Sequence, residues 1–311
     1  MLSCPMDVRK QFPVRKSKSQ KQAFRDAVQA YAQDLGYECK VEKGSMGVRN
    51  VVIGNPERAK YLVTAHYDTC ARMLFPNIVT PCNFAAYLLY QLFVVAAMVL
   101  VSILAGAAAG LAVGDAGVAG LFGGIVYWTL LICMMVGPAN PNNANDNTSG
   151  VVTVLEIARS MPENLREKVC FVLFDLEEAG LLGSAAYRKA HKKVTNNQVV
   201  LNLDCVGDGD NILLIPGKKL KKDIAKLTPV YKAAGYFGKK SILVRDKGFT
   251  IYPSDQANFP YGVAIGAFHI HKLFGHYYSR IHTPRDTVLD ETNVNLLRAA
   301  LITVIGSDAA K

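Results

Sequence analysis

The sequence lacks several patterns that would assign it to a common functional class. Its 311 residues contain no GxSxG elbow, no Walker loop and no GxGxxG fingerprint, which argues against a serine hydrolase, an NTPase and a dinucleotide-binding enzyme. No RNP-like, zinc-finger or helix-turn-helix pattern accompanies the net charge of +10, so no nucleic-acid partner is expected. The densest basic runs, 9–21 and 218–222, are expected to be solvated surface.

Cysteine is present but follows no pattern of pairing. The seven cysteines form no CxxC pair, and their odd number argues against a complete disulfide framework. Cys170 and Cys205 lie in apolar strand-like runs, where cysteine is usually a small buried hydrophobe. The first twenty residues, MLSCPMDVRKQFPVRKSKSQ, contain no apolar stretch of signal-peptide length. We therefore expect free thiols, no signal peptide and a reducing, cytosolic environment.

Charge is almost absent from one long segment. No charged residue occurs between Arg72 and Asp115, and none occurs between Asp115 and Asp146. This interval contains two apolar runs, 84–114 and 116–137, each of which exceeds the ~20 residues that a helix needs to cross a hydrocarbon core of ~30 Å. We predict a helical hairpin over 84–137 that inserts into a lipid bilayer. The alternative is a hairpin buried inside a soluble or oligomeric protein.

The composition of the hairpin favours the membrane interpretation. Tyr87, Tyr90, Tyr127 and Trp128 lie toward the ends of the runs that are distal to Asp115, where interfacial aromatic residues are expected. The small residues of AGAAAG and GLFGG permit close helix packing. A hairpin returns the chain to the side that it left, so nearly all Lys and Arg lie on one side. Basic segments next to membrane helices are usually retained in the cytoplasm, so we predict that the main domain is cytoplasmic.

Outside the hairpin, helical and strand-like patterns alternate. The predicted helices cover about 20–35, 148–159, 181–191, 219–234 and 293–305. The predicted strands cover 51–53, 60–65, 168–174, 198–204, 212–215 and 262–268. This alternation predicts an α/β domain with a mostly parallel central sheet flanked by helices. The predicted organisation is a basic N-terminal segment (1–19), a main domain (20–83 and 138–311) and the inserted hairpin (84–137).

Acidic residues and histidines recur where the predicted elements begin or end. Taken singly, each has an ordinary explanation, such as a hydrogen-bonded histidine, a helix cap, a solvated acid pair or a turn. Parallel sheets, however, bind ligands at the carboxyl ends of their strands, and these residues converge on that edge. They are His66, Asp68, Asp146, Glu177, Glu178, Asp204 and His282.

The convergent set has the chemistry of a metal centre. Two histidines and three carboxylates are a suitable ligand set for two divalent metal ions with open positions. Metals ~3.5–4 Å apart can share a bridging carboxylate and a water, whose proton is taken by a nearby unligated carboxylate. Asp68 follows His66 by two residues on the same strand face, so it is a candidate for orienting that ring.

Five motifs in a fixed order resemble a known family. HYD at a strand end, NDNTSG, FDLEEAGLLGS, NLD and HTPRDT resemble the co-catalytic di-zinc aminopeptidases, whose family also includes glutaminyl cyclases and glutamate carboxypeptidases. The similarity covers about 20–72 and 140–307. It implies a zinc aminopeptidase-like fold and an exopeptidase that removes N-terminal residues from peptides with a free N-terminus. It also implies two Zn²⁺ per chain, although Co²⁺ or Mn²⁺ would suit the same ligands.

The resemblance implies a role for each matching position. One zinc would be held by His66 and Asp204, and the other by Glu178 and His282. Asp146 would bridge the two ions. The remaining roles would belong to Glu177, the general base that activates the water and later protonates the leaving amine, and to Asp68, which would orient His66.

The substrate side of the site is less well defined. Residues 254–259, SDQANF, are similar to the family's substrate-side loop, commonly SDHxxF, which makes Asp255 and Gln256 candidates for contacting substrate. Gln256 replaces the usual His, so the side-chain preference stays open. Tyr277 or Tyr278 is a candidate for stabilising an oxyanion.

Alternatives remain within and outside this family. The residues after Asp146 and His282 resemble the peptidase branch, but a glutaminyl cyclase or a di-zinc carboxypeptidase or dipeptidase is not excluded. A catalytically inactive, membrane-tethered binding protein is the alternative of another class. Asp146 also follows His66 by 80 positions, much farther than is usual in the family, and the hairpin fills that gap. We therefore expect the hairpin to emerge at the active-site edge, with the catalytic mouth close to the membrane surface.

Overall fold

Ten strands form one sheet at the centre of the protein. The computed structural model describes residues 2–73 and 75–307. Across the sheet, the strand order is β1-β2-β4-β3-β5-β9-β6-β8-β7, and β10 pairs with β9. Within the described residues, the strands are β1 (Cys39–Lys43), β2 (Arg49–Ile53), β3 (Tyr61–His66), β4 (Val169–Phe174), β5 (Val199–Leu203), β6 (Asn211–Pro216), β7 (Gly235–Phe237), β8 (Lys240–Val244), β9 (Gly262–His271) and β10 (Gly275–Tyr277).

The four central strands are parallel. β4, β3, β5 and β9 are neighbours with parallel register, and β3, β4 and β5 are buried along their whole length, which explains their continuous apolar sequences. The pairs β1–β2, β2–β4, β6–β9 and β7–β8 are antiparallel, so the complete sheet is mixed. The predicted α/β class is confirmed. Sequence patterns did not predict β1, β7, β8 and β10 because these strands are short or carry partly exposed polar residues.

Helices cover both faces of the sheet, as predicted. On one face, α2, α5 and α10 contribute Phe24, Leu155 and Leu301 to the largest apolar core. On the other face, Tyr187 of α6 packs edge-on against Phe174. The helices are α1 (Val8–Gln11), α2 (Lys18–Asp34), α3 (Phe84–Val113), α4 (Ala116–Val136), α5 (Gly150–Ser160), α6 (Leu182–Ala190), α7 (Lys192–Thr195), α8 (Lys218–Lys222), α9 (Ile224–Tyr231) and α10 (Glu291–Gly306).

The charge-free segment forms the predicted hairpin of two long helices, α3 and α4. Gly114 adopts a positive φ at the turn, and the Asp115 side chain accepts a hydrogen bond from the Gly117 amide at the start of α4. The two helices pack closely through small residues. A side chain at Gly106 would collide with the carbonyl oxygen of Ala119 in α4, so glycine is needed at this contact. Most large apolar side chains of the hairpin are exposed. By length and composition alone, both helices could cross a membrane.

The N-terminal basic run is partly buried, so the expectation of a solvated surface is wrong for Arg15 and Lys21. Lys21 forms an ion pair of 2.7 Å with Asp175, directly after β4. Arg15 is fully buried and donates hydrogen bonds to the Tyr67 carbonyl oxygen (2.6 Å) and to Thr148 Oγ1 (3.1 Å). A buried guanidinium requires several acceptors, and Arg15 obtains them from the two segments that carry the HYD and NDNTS motifs.

Candidate metal centre

The parallel strands bring the predicted site residues to one edge of the sheet. His66 is the last residue of β3, and its Cα lies opposite Phe174, the last residue of β4. Thr64 of β3 lies opposite Asn202 of β5. Asp204 follows Asn202 by two residues, directly after the end of β5. Since these neighbouring strands run in the same direction, the residues that follow them share one edge. The three strand ends therefore supply His66, the acidic pair after β4, and Asp204.

Asp146 lies between the two histidines. One carboxylate oxygen, Oδ1, is 3.3 Å from Nε2 of His66, and the other, Oδ2, is 3.0 Å from Nε2 of His282. Each histidine also faces a second acid. His66 Nε2 is 3.7 Å from Asp204 Oδ1, and His282 Nε2 is 3.6 Å from Glu178 Oε2. The five side chains thus form two half-sites that share the Asp146 carboxylate.

A polar loop holds Asp146 in this position. The carboxylate of Asp286 accepts hydrogen bonds from the amides of Asn145 (2.7 Å) and Asp146 (3.0 Å). The Asn147 side chain donates to the Leu203 carbonyl oxygen (3.0 Å) and accepts from the amide of Cys205 (3.3 Å). The peptide bond between Asp146 and Asn147 is cis. These contacts fasten the loop before α5 to the end of β5, so Asp146 and Asp204 keep a fixed relation.

Asp68 connects the first half-site to the acidic pair. Its Oδ1 lies 3.5 Å from Nδ1 of His66. The same carboxylate accepts hydrogen bonds from the backbone amides of Glu177 (3.0 Å) and Glu178 (3.2 Å). Asp68 is therefore placed to orient the imidazole, and it also fixes the backbone that presents both glutamates.

Unusual backbone conformations cluster around these residues. Among the described residues, Leu176, Cys205 and His282 have positive φ angles of 56°, 56° and 61°, although none is glycine. Leu176 precedes Glu177, and Cys205 follows Asp204. Left-handed conformations are uncommon for such residues and concentrate at functional sites. The left-handed conformation thus occurs next to Glu177 and Asp204 and at His282 itself, and among the described residues Met46 and Leu181 share it.

Burial and crowding of carboxylates change the protonation of the cluster. Burial raises the pKa of Glu178 to about 8, although the charge of His282 acts against this rise. Burial also raises the pKa of Glu177 well above its ordinary value, against the charge of His66. For His282, burial acts to lower the pKa, but the neighbouring Glu178 and Asp146 raise it to about 9. Added divalent cations would favour the ionised carboxylates and the neutral imidazoles.

The donor atoms suit such cations. Glu178 Oε1 is buried without a hydrogen-bond partner in the described protein, which is unusual for a buried polar atom, whereas Nδ1 of His66 faces Asp68. Ligand atoms of Asp146, Glu178 and His282 lie within 4.8 Å of one another, and so do those of His66, Glu177 and Asp204. Imidazole nitrogens and carboxylate oxygens in this arrangement match the preferences of zinc, and also of cobalt or manganese.

Sequence reasoning missed two residues of this centre. The buried thiol of Cys70 lies within 4.8 Å of ligand atoms of Asp146, Glu178 and His282, so it is a further candidate donor. Asp286 binds the Asp146 loop, and its position in the HTPRDT motif was the available signal. The seven cysteines, all within the described residues, form no disulfide in this structure.

The predicted substrate-side residues are mostly engaged inside the protein. Asp255 and Gln256 are buried, and the Gln256 amide donates to the Tyr252 carbonyl oxygen (2.7 Å) and accepts from Asn202 (3.1 Å). Tyr278 is buried, and its hydroxyl contacts that of Tyr252 at 3.4 Å. Tyr277 lies on β10 and is half-buried. The structure therefore gives Gln256 and Tyr278 internal contacts, and the expectation that they touch substrate stays untested.

Removal of the Asp286 carboxylate should weaken metal binding without removing a ligand. Asp286→Ala deprives two backbone amides of their acceptor, and a hydrogen bond to a charged group contributes ~1.5–3 kcal/mol. Loss of an outer-shell partner of this kind typically lowers metal affinity by about 10–100-fold. Zinc titration of the metal-free protein measures this. The exposed Asp210→Ala variant is the control, and equal zinc affinities in the two variants would exclude the role of Asp286.

Comparison with known proteins agrees with this geometry. Residues 133–305 match Peptidase family M28. The aminopeptidase YwaD of Bacillus subtilis (strain 168) is 41% identical over 75 residues, an alignment that spans 22% of this chain and only 16% of that relative. The LapA aminopeptidase of Legionella pneumophila superposes with a TM-score of 0.59 at 12% identity, over 99% of this chain and 71% of its own. The glutaminyl cyclase of Macrostomum lignano gives a TM-score of 0.53 at 12% identity, over 99% and 90% of the two chains.

The structural likenesses, at such low identity, show the fold alone. The family match extends over more than half of the 311 residues and includes Asp146, Glu178, Asp204 and His282. On this match, and in agreement with the residues gathered at the sheet edge, the chain belongs to Peptidase family M28.

Proposed function

We propose that this protein is a zinc-dependent aminopeptidase that removes N-terminal residues from peptides, with two zinc ions per chain. The observation that carries the proposal is the position of Asp146, whose two carboxylate oxygens face different histidines, 3.3 Å from His66 and 3.0 Å from His282. Each histidine has its own second acid, Asp204 or Glu178. This arrangement suits one ion in each half-site and a shared carboxylate between them.

The positions of the protein side chains support a proposed role for each. When bound, the zinc ions would polarise the scissile carbonyl group and acidify a water. Glu177 is the proposed general base, which takes a proton from the attacking water and returns it to the leaving amine. Its carboxylate lies within 4.8 Å of ligand atoms of His66 and Asp204, beside the first half-site, where a positioned carboxylate can act as a general base. Asp68 accepts a hydrogen bond from the Glu177 amide and faces the His66 ring, so it is the proposed residue that orients both.

A substrate panel separates the aminopeptidase from its alternatives. We expect hydrolysis of aminoacyl amides with a free amino group, no hydrolysis of N-blocked peptides, and loss of activity with a chelator that zinc restores. Cyclisation of a glutaminyl peptide without release of an N-terminal residue would favour a glutaminyl cyclase instead. Release of C-terminal residues from N-blocked peptides would favour a carboxypeptidase, and inactivity of the zinc-loaded protein on all three substrates would favour a binding protein.

The hairpin is the proposed membrane anchor, with the catalytic domain on the cytoplasmic side. It leaves the domain beside the metal centre, because the Arg72 amide binds the Pro138 carbonyl oxygen (2.8 Å) and the Met73 amide binds that of His282 (2.8 Å). The sulfur of Met73 lies 3.1 Å from Nδ1 of His282. An apolar cavity of about 170 Å³ separates Met73 from the hairpin. Insertion of α3 and α4 would hold the candidate site close to the bilayer and favour peptides whose N-terminus lies there.

A further inference from the structure

Three large apolar side chains outside the hairpin are strongly exposed at its base. Phe249 is 65% exposed, Leu273 is 76% exposed and Phe274 is 43% exposed. Phe249 lies in the loop after β8, and the other two lie in the turn between β9 and β10. Single exposed apolar residues are ordinary on protein surfaces. Here, however, two loops that are distant in sequence bring Phe249 and Leu273 to the point where the chain enters α3, and Phe274 follows Leu273 in the same turn.

Contacts with the start of α3 show where these side chains lie relative to the apolar span of the hairpin. The ring of Phe249 meets the ring of Phe84 at 5.2 Å between centroids. The side chain of Asn83, which caps α3, donates a hydrogen bond to the Leu273 carbonyl oxygen (3.3 Å). Phe84 is the first residue of the apolar span. Phe249 and Leu273 therefore lie level with the start of that span, which is the interfacial layer if the hairpin crosses a bilayer.

Basic residues accompany the apolar ones. Lys272 is exposed next to Leu273, and Nζ of Lys221 lies 3.4 Å from the Gly248 carbonyl oxygen, beside Phe249. The Ile251 amide donates a hydrogen bond to the Pro81 carbonyl oxygen (3.0 Å), so the loop that carries Phe249 lies against the entry to α3. The nearest acid in this loop, Asp246, accepts a hydrogen bond from the Tyr231 hydroxyl (2.6 Å). This surface thus combines exposed apolar side chains with basic residues, as do protein segments that enter an anionic lipid surface.

We propose that Phe249, Leu273 and Phe274 form an apolar collar that enters the interfacial layer of an anionic bilayer beside the hairpin. The proposal rests on the proposed membrane insertion of α3 and α4. A hairpin alone is a single attachment about which the domain can tilt. The collar adds a second attachment on the β8–β9 side of the sheet, and the two together would hold the metal-binding edge facing the membrane.

The single tryptophan of the chain, Trp128 in α4, makes the test direct. The full-length protein is reconstituted in vesicles of phosphatidylcholine and phosphatidylglycerol, with bromine as a fluorescence quencher placed on the acyl chains either near the headgroup, for the collar, or near the bilayer centre, for Trp128. Native Trp128 reports on the hairpin. In a Trp128→Phe background, Phe249→Trp or Leu273→Trp reports on the collar, and Glu167→Trp is the control. Glu167 is exposed just before β4, at the sheet edge opposite the metal centre.

We expect quenching of Trp128 and of both collar tryptophans, and little quenching at position 167. Quenching at Trp128 without quenching at either collar position would overturn the collar while leaving the hairpin inserted. Absence of quenching at Trp128 and at the collar would instead reject membrane insertion. Replacing phosphatidylglycerol by phosphatidylcholine should weaken quenching at position 249 but not at Trp128. Equal quenching in the two lipids would contradict a contribution from the basic residues.

Discussion

Glu177→Gln should keep the zinc content of the protein and lower the rate of peptide hydrolysis by about 10²–10⁴-fold, the range that a positioned general base contributes. Glutamine preserves the shape of the side chain and the hydrogen bond from the residue 177 amide to Asp68, since that bond uses the backbone. It removes the basic oxygen and the negative charge of the carboxylate. Because His66 and Asp204 have Asp146 as a further partner in their half-site, we expect metal binding to survive the change.

Two matched variants are compared with Glu177→Gln in activity and in zinc content. Glu178→Gln alters the neighbouring glutamate, whose carboxylate faces His282 at 3.6 Å, and should lower the zinc content together with the activity. Glu163→Gln changes an exposed glutamate in the segment before β4 and should change neither quantity. The measurements are kcat with an aminoacyl amide and zinc per chain after dialysis. Full activity of Glu177→Gln would refute the assigned role, and loss of zinc from that variant would make Glu177 a ligand.

Asp146→Asn should weaken both zinc sites together. The amide group of asparagine presents an N–H donor where the aspartate has its second carboxylate oxygen, so one of the two histidine-facing positions loses its lone pairs. The buried site also loses a negative charge, and the attraction for divalent cations falls in both halves. Since outer-shell changes alone lower metal affinity by about 10–100-fold, we expect a loss of at least that size here.

Zinc titration of the metal-free variants distinguishes a ligand of both zinc ions from a ligand of only one. Asp146→Asn should lower the affinity of both binding steps, whereas Asp204→Asn and Glu178→Gln should each affect one step more than the other. Asp210→Asn, on the surface, serves as the control for charge alone. Two unaltered binding steps in the Asp146→Asn protein would exclude Asp146 as the bridge.

The sequence predicted the parts of the site that regular structure positions. His66, the glutamate pair and Asp204 follow parallel strands, and strand ends meet at one edge whatever the loops do. The motif order also proposed His282 and Asp146 as members of the candidate site, but their mutual distance depends on loops whose shape comes from specific hydrogen bonds, such as those of Asp286 and Asn147. No periodic pattern encodes such contacts.

Burial of charge was the other part that could not be predicted. Arg15 stands in a basic run that has the composition of a solvated surface, yet its guanidinium lies under the site because the acceptors Tyr67 and Thr148 come from segments far along the chain. The thiol of Cys70 is similar, since its closeness to Glu178 and His282 arises only when the segment after β3 folds across the sheet edge. Both positions depend on contacts between residues that are distant in sequence.

The placement of the hairpin also determines when the site can exist during synthesis. His66 and Asp68 emerge from the ribosome before the hairpin, whereas Asp146, Glu178, Asp204 and His282 emerge after it. The second half-site is incomplete until residue 282 of 311 has been made. If the proposed function is right, the hairpin is therefore made before both metal sites are complete, and a full pair of sites can form only after His282 has been synthesised.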